Sequence, residues 1–130
     1  MVQKVGFLAG RILLSTIFLM SGLGKLTNFT GTQQYMANYG MPMTKFFLIC
    51  AIILEIGGGL SILLGYRAKW GALALVIFLI PATLIFHTRF SDQIQMIMFM
   101  KNLAIMGGLV LIATQGAGPL SIDAIRKQTT

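Results

Sequence analysis

The sequence predicts an all-α integral membrane protein: a four-helix bundle with a short interfacial helix between its first and second spans. Three observations lead there. Hydrophobic residues make up 56% of the chain and charged residues only 10%, whereas a soluble domain carries about 25% charged residues. Four apolar runs, 5–23, 46–66, 71–87 and 94–113, each approach the ~20 residues that a helix needs to cross a hydrocarbon core. These runs fill more than half of the 130 residues, so 1–130 reads as a single transmembrane domain with no room for a separate soluble one.

The first run, VGFLAGRILLSTIFLMSGL, holds Gly6 and Gly10 at GxxxG spacing, which permits close helix contact. It lacks a convincing cleavage site and reads as a retained signal anchor. Residues 24–44 are polar and aromatic and too long for a simple turn. Thr30 or Thr32 is expected to cap a short helix ending near Tyr39, with Gly40 as a left-handed stop. Met36 and Tyr39 then share a face, and the tyrosines sit at headgroup level. Pro42 suits the first turn of the next helix. That helix carries Gly57, Ser61 and Gly65 at four-residue spacing, a stripe against which another helix packs. The short link 67–70 makes the second and third spans antiparallel neighbours. In the third span Pro81 frees the carbonyl of Ile77, and Thr83 or a neighbouring helix is the expected donor to it. Gly116 to Pro119 end the fourth span, and Ser121 is expected to cap a short amphipathic turn carrying Asp123, Arg126 and Lys127.

The net charge of +7 does not indicate nucleic acid, because the basic residues are scattered at the ends of the spans rather than clustered on one face. The positive-inside rule accounts for them better. With Lys4, Arg11, Arg67, Lys69, Arg126 and Lys127 on one side and Lys25, Lys45 and Arg89 on the other, both termini are expected in the cytoplasm. Cys50 is the only cysteine, which excludes an internal disulfide or CxxC chemistry. One histidine excludes a bis-histidine haem within the chain, and no metal site is expected.

Glu55 is the residue that most needs explaining. It lies midway along an otherwise uncharged apolar run, where a carboxylate costs roughly 3 kcal/mol if uncompensated. At about 1.5 Å per residue, Glu55 lies about 16 Å from the cytoplasmic end of its span, Lys101 about 18 Å, Arg11 about 9 Å and His87 about 24 Å. These depths suggest a buried cluster of Glu55, Lys101, Arg11 and Asn102, lined by Met98 and Met106. Two cations facing one carboxylate leave an excess positive charge in low dielectric, which an anionic or carbonyl-bearing ligand such as a quinone headgroup would relieve. Other readings stay open: an ion pair that only fixes helix register, Arg11 snorkelling to the headgroups, or His87 as an interface residue. A small proton-coupled transporter and a non-catalytic scaffold for soluble enzymes are the alternative functions.

An ordered set of residues resembles the DoxX family. It comprises Gly10-Arg11, Ser21-Gly22 with Lys25, Tyr39 to Pro42, Glu55 with Gly57 to Gly59, and Leu64-Gly65. It continues with His87, Lys101-Asn102, Gly107-Gly108, Gly116, Gly118, Ser121 and Asp123. The resemblance implies a small bacterial inner-membrane protein. Family relatives are linked to respiratory and sulfur oxidation, including DoxD-type subunits of a thiosulfate:quinone oxidoreductase, and to oxidative and thiol stress. By this resemblance Glu55 and Lys101 become candidate catalytic residues, and Arg11, His87 and Asn102 candidate ligand-binding residues. The expectation is a redox-associated membrane subunit that binds a quinone-like molecule without a covalent cofactor. Electrons would come from a partner protein, because no haem, flavin or iron–sulfur motif is present and no catalysis is expected from the chain alone. Membrane lipids, redox proteins and a second copy of the chain are the candidate partners.

Overall fold

In the computed structural model, which describes residues 1–129, the chain is helical and has no strand among those residues. The helices are α1 (Val2–Thr27), α2 (Phe29–Asn38), α3 (Thr44–Leu64), α4 (Ala68–Phe86), α5 (Gln93–Gln115) and α6 (Ile122–Thr129). The four expected spans are α1, α3, α4 and α5, all long and apolar enough to cross a membrane. The expected short interfacial helix is α2. α1 is longer at both ends than its apolar run and takes in Lys4 and Lys25.

Where helices end, local chemistry decides. Gly65, with φ 68°, takes the left-handed conformation and stops α3 short of Tyr66. Its N–H bonds to the carbonyl of Ile62, and the Tyr66 N–H bonds to that of Ser61. Gly40, with φ 79°, is the expected left-handed stop after α2. The expected threonine cap of α2 is corrected: the helix begins at Phe29, after Asn28, and the Thr32 hydroxyl donates to the carbonyl of Asn28. Pro42 is not in the first turn of α3, which starts at Thr44 behind a left-handed Met43. At the start of α5 the Asp92 carboxylate accepts from the N–H of Ile94, an ordinary N-cap. Ser121 caps α6 as expected, accepting from Ala124 N–H at 3.1 Å.

The core joins all four spans: Phe18 from α1, Ile62 from α3, Ala68, Ala72, Leu75 and Leu79 from α4, and Leu109 and Ile112 from α5. α3 packs between α1 and α4, and α5 packs on α4. The close approaches agree in part with the expected stripe: Gly65 lies against Arg11, Ser121 and Ala117, and Ser61 against Gly71. Gly58 lies on the side chain of Leu75, Gly59 on Leu19 and Phe18, and Gly22 on Ile56, whereas Gly57 faces open space. A Cβ at Gly22 would stand 2.6 Å from Ile56 Cγ1, so α1 and α3 meet there almost backbone to side chain. Gly6 and Gly10 touch no other helix. They line a groove of about 630 Å³ between α1 and α5, the one seam the bundle leaves loosely closed.

The Gly22 contact also fixes the register of the two spans. The end of α1 lies against the middle of α3, and α3 continues for two more turns beyond it. α2 takes the vacated place there, setting Met36 and Phe29 against Leu48 and Ile52. The two ends of the bundle are therefore unlike. One carries the start of α1, the α3–α4 turn and α6. The other carries α2 and the α4–α5 connection.

Candidate functional site

Glu55 lies eleven residues into α3 and nine from its end, about 16 Å and 14 Å along the axis. It is buried, 4% exposed, and it is paired. Its partner is Lys25, whose Nζ donates to Oε1 at 2.9 Å and to Oε2 at 3.1 Å. The same ammonium donates to the Ser21 hydroxyl at 2.7 Å. All three protons of the lysine are thus used, and the carboxylate is held by both oxygens. Opposite charges from two spans do meet halfway along α3, with a different cation from the one expected.

The expected cluster of Glu55, Lys101, Arg11 and Asn102 is corrected, because the structure distributes these residues over four places. Arg11, 1% exposed, does not snorkel and does not reach Glu55. Its Nη1 donates to the carbonyls of Ile62 and Leu63, and its Nη2 to that of Leu120. Those of Ile62 and Leu63 belong to the last turn of α3, where carbonyls lack helical partners and the dipole is negative. Asp123 completes this junction, accepting from the N–H groups of Arg67 and Ala68 at 2.7 and 3.0 Å and so capping α4 from a distant segment. Asn102 is buried between α5 and α4, where its Nδ2 donates to Thr83 Oγ1 at 2.9 Å. Thr83, the expected donor to the Ile77 carbonyl, is here the acceptor of the bond from Asn102. His87 caps the end of α4 and bonds Gln95 through Nδ1 at 3.0 Å. Lys101 lies on the exposed side of α5, its Nζ on the sulfur of Met98 at 3.2 Å.

Lys25 is the partner of Glu55 that the sequence reading set aside, because its apolar run ended at Leu23. A signal for it existed. The buried positions of α1 are Arg11, Ser15, Phe18 and Gly22, and Lys25 is the next step of that 3–4 periodicity.

Lys25 borders an open surface pocket of about 480 Å³ lined by Ser21, Gly24, Asn28, Gly31, Thr32 and Tyr35. Three hydroxyls, an amide and an ammonium face a space within the size range of small-molecule sites. Above it stands an aromatic cluster in which Tyr35 stacks on Phe86 with ring centroids 5.6 Å apart and Tyr39 meets Phe86 edge-on. Arg89 lies 5.4 Å over the ring of Tyr39. Burial raises the Tyr35 phenol to about 12, assisted by its bond to Tyr39 and opposed by Gln95 and Arg89. The fold therefore favours the neutral phenol. That preference is fully present below the ordinary value near 10 and is lost as pH rises through 12. In an absorbance titration of tyrosinate formation, the component near pH 12 is expected to vanish in Tyr35→Phe; its persistence would show that another tyrosine carries it.

The DoxX family model matches residues 6–88, a stretch running from α1 through the end of α4. Inner membrane protein YqjF of Escherichia coli is 43% identical over 124 residues, covering 95% of this chain and 94% of that protein. Inner membrane protein YphA of the same organism is 33% identical over 126 residues, covering 93% and 90%. The ER-derived vesicles protein ERV29 of Saccharomyces cerevisiae is 32% identical over 81 residues, covering 58% of this chain but 26% of that protein. No solved structure matches the chain significantly. Relatives that are inner-membrane proteins along nearly their whole length, and four spans of membrane-crossing length here, agree on a multi-pass protein of the bacterial inner membrane. The chain belongs to the DoxX family.

Proposed function

We propose that this protein is a ligand-binding subunit of a membrane redox system, and that it seats the head of a quinone-like lipophile in the cavity beside Lys25 and Glu55. One observation carries this reading. The ion pair of Lys25 with Glu55 lies in the middle of a span, and its cation lines a cavity rich in hydroxyl groups. A carbonyl of the ligand would replace the Ser21 hydroxyl as the third acceptor of Lys25, whose protons a quinone needs on reduction, and Glu55 would hold the lysine charged. Ser21, Asn28 and Thr32 offer both donors and acceptors to the rest of the ring. Electrons would come from a partner protein, since neither side chain of the pair is redox-active. In this reading the end bearing both termini is cytoplasmic. It carries Lys4, Arg67, Lys69, Arg126 and Lys127, against Lys25, Lys45 and Arg89 towards the α2 end.

Binding of a short-tailed ubiquinone analogue to the purified protein tests the proposal. Gly24 lines the cavity and has open space where a Cβ would stand. Gly24→Leu is therefore expected to fill the cavity without disturbing the bundle and to weaken binding at least about tenfold. Lys25→Met is expected to weaken binding as well, while also destabilising the bundle by stranding Glu55. Equal binding by wild type and Gly24→Leu, with both folded, would remove the site.

A further inference from the structure

We infer that the groove between α1 and α5 receives a transmembrane helix of a different protein, and that this helix carries a carboxylate at mid-span to meet Lys101. Lys101 lies eight residues into α5, about 12 Å from the helix end. Its ammonium reaches back only to Met98, one turn nearer that end. It is an exposed cation inside a span, bound to a sulfur and to no carboxylate among the described residues. Such a charge calls for an anion.

The chain cannot supply that anion. Its three acidic residues are Glu55, Asp92 and Asp123. Glu55 is held by Lys25 through both oxygens. Asp92 caps α5 and Asp123 caps α4, each at a helix end rather than mid-span. A second copy would bring the same three groups, equally engaged, so the complementary charge belongs to another chain.

The groove has the shape such a helix needs. It runs along α1 and α5 from Gly6 and Gln115 at one end to Leu13 and Lys101 at the other, and its walls are otherwise apolar except where they touch Arg11, whose guanidinium is turned to backbone carbonyls. Gly6 and Gly10 on one wall face open space, and Gly108 lies on the other with only the Leu14 side chain within reach. Small residues on both walls let an incoming backbone come close, where dispersion and a single ion pair act together. Gly10 and Lys101 thus read the partner by two separate features, its shape and its charge.

The test uses the full chain in phosphatidylcholine liposomes, labelled at its C-terminus, with labelled synthetic leucine-rich transmembrane helices as probes. One helix carries a central aspartate and the control carries leucine there. Energy transfer is expected to show the aspartate helix binding about tenfold more tightly. Lys101→Met should abolish that preference, and Gly10→Leu should weaken association with both helices. Equal binding of the two helices, or a preference that survives Lys101→Met, would overturn the inference. Gly10→Leu-sensitive association between copies of the chain without probe would assign the groove to a second copy instead. A phospholipid retained in native mass spectra by wild type but not by Gly10→Leu would assign it to lipid. Either result would overturn the proposal as well.

Discussion

Removing one half of the Lys25–Glu55 pair is expected to destabilise the bundle by about 3–5 kcal/mol, and removing both halves together by far less. Lys25→Met leaves a carboxylate buried where α1 and α3 touch, with no other cation beside it. Glu55→Leu leaves an ammonium with only the Ser21 hydroxyl as acceptor. Each single variant therefore strands a charge in an apolar span. The double variant Lys25→Met/Glu55→Leu strands none and replaces the pair with packing of similar volume. Gly22 keeps the α1–α3 contact tight in every case, because its own contacts with Ile56 and Glu55 Cβ do not depend on the charges. Unfolding measured in mild detergent should show the two single losses failing to add, with a coupling of several kcal/mol. Additive losses would mean that the two residues act independently and that the pair is not the unit described here. Binding of the quinone analogue separates stability from function: the double variant is expected to be folded and not to bind.

The spans were legible from the sequence because apolar length is a one-dimensional signal. Burying backbone polar groups in lipid leaves few options besides a helix. The left-handed stop at Gly40 and the Ser121 cap were legible for the same reason, each being set within a few residues, whereas Gly65 was read only as a packing position. The site was half legible. A carboxylate in mid-span calls for a cation whatever the fold, so Glu55 announced that a partner existed. Choosing among cations required the relative depth of two helices, and equal spans measured from a common membrane face put Lys101 level with Glu55 instead of Lys25. That estimate failed because α1 and α3 are not aligned end to end: Gly22 packs beside Glu55, and α2 occupies the space past Thr27. Such an offset is a property of side-chain packing between distant segments, and no local pattern encodes it. Arg11 misled for a related reason. An arginine in a span suggests an anionic ligand, whereas here its acceptors are backbone carbonyls at the end of another helix and in the turn before α6.

Arg11→Leu is expected to unfold the junction at the terminal end of the bundle, at a cost of about 3 kcal/mol or more. The guanidinium ties three segments together by donating to α3 at Ile62 and Leu63 and to Leu120 ahead of α6. The carbonyl of Ile62 retains a second donor in the N–H of Gly65, but Leu63 and Leu120 have no such bond between helices to fall back on. Leucine would gain by removing a buried cation, and that gain opposes the loss. It is outweighed because the stranded carbonyls lie in a buried junction already crowded by Gly65, whose missing Cβ leaves room for Arg11 Nη1 and the side chains of Ser121 and Ala117. Arg11→Lys is expected to fall between the two, since an ammonium keeps the charge but cannot span three carbonyls as a planar fork does. Asp123→Ala tests the other half of the junction and should be milder, about 1–2 kcal/mol, as for the loss of a helix cap. Its effect should also be local: amide exchange should accelerate at Arg67 and Ala68, whose N–H groups the carboxylate accepts, and not in the middle of α3. If Arg11→Leu proved as stable as wild type, the arginine would not be the element that closes this end of the bundle, and a ligand or partner role for it would have to be considered again.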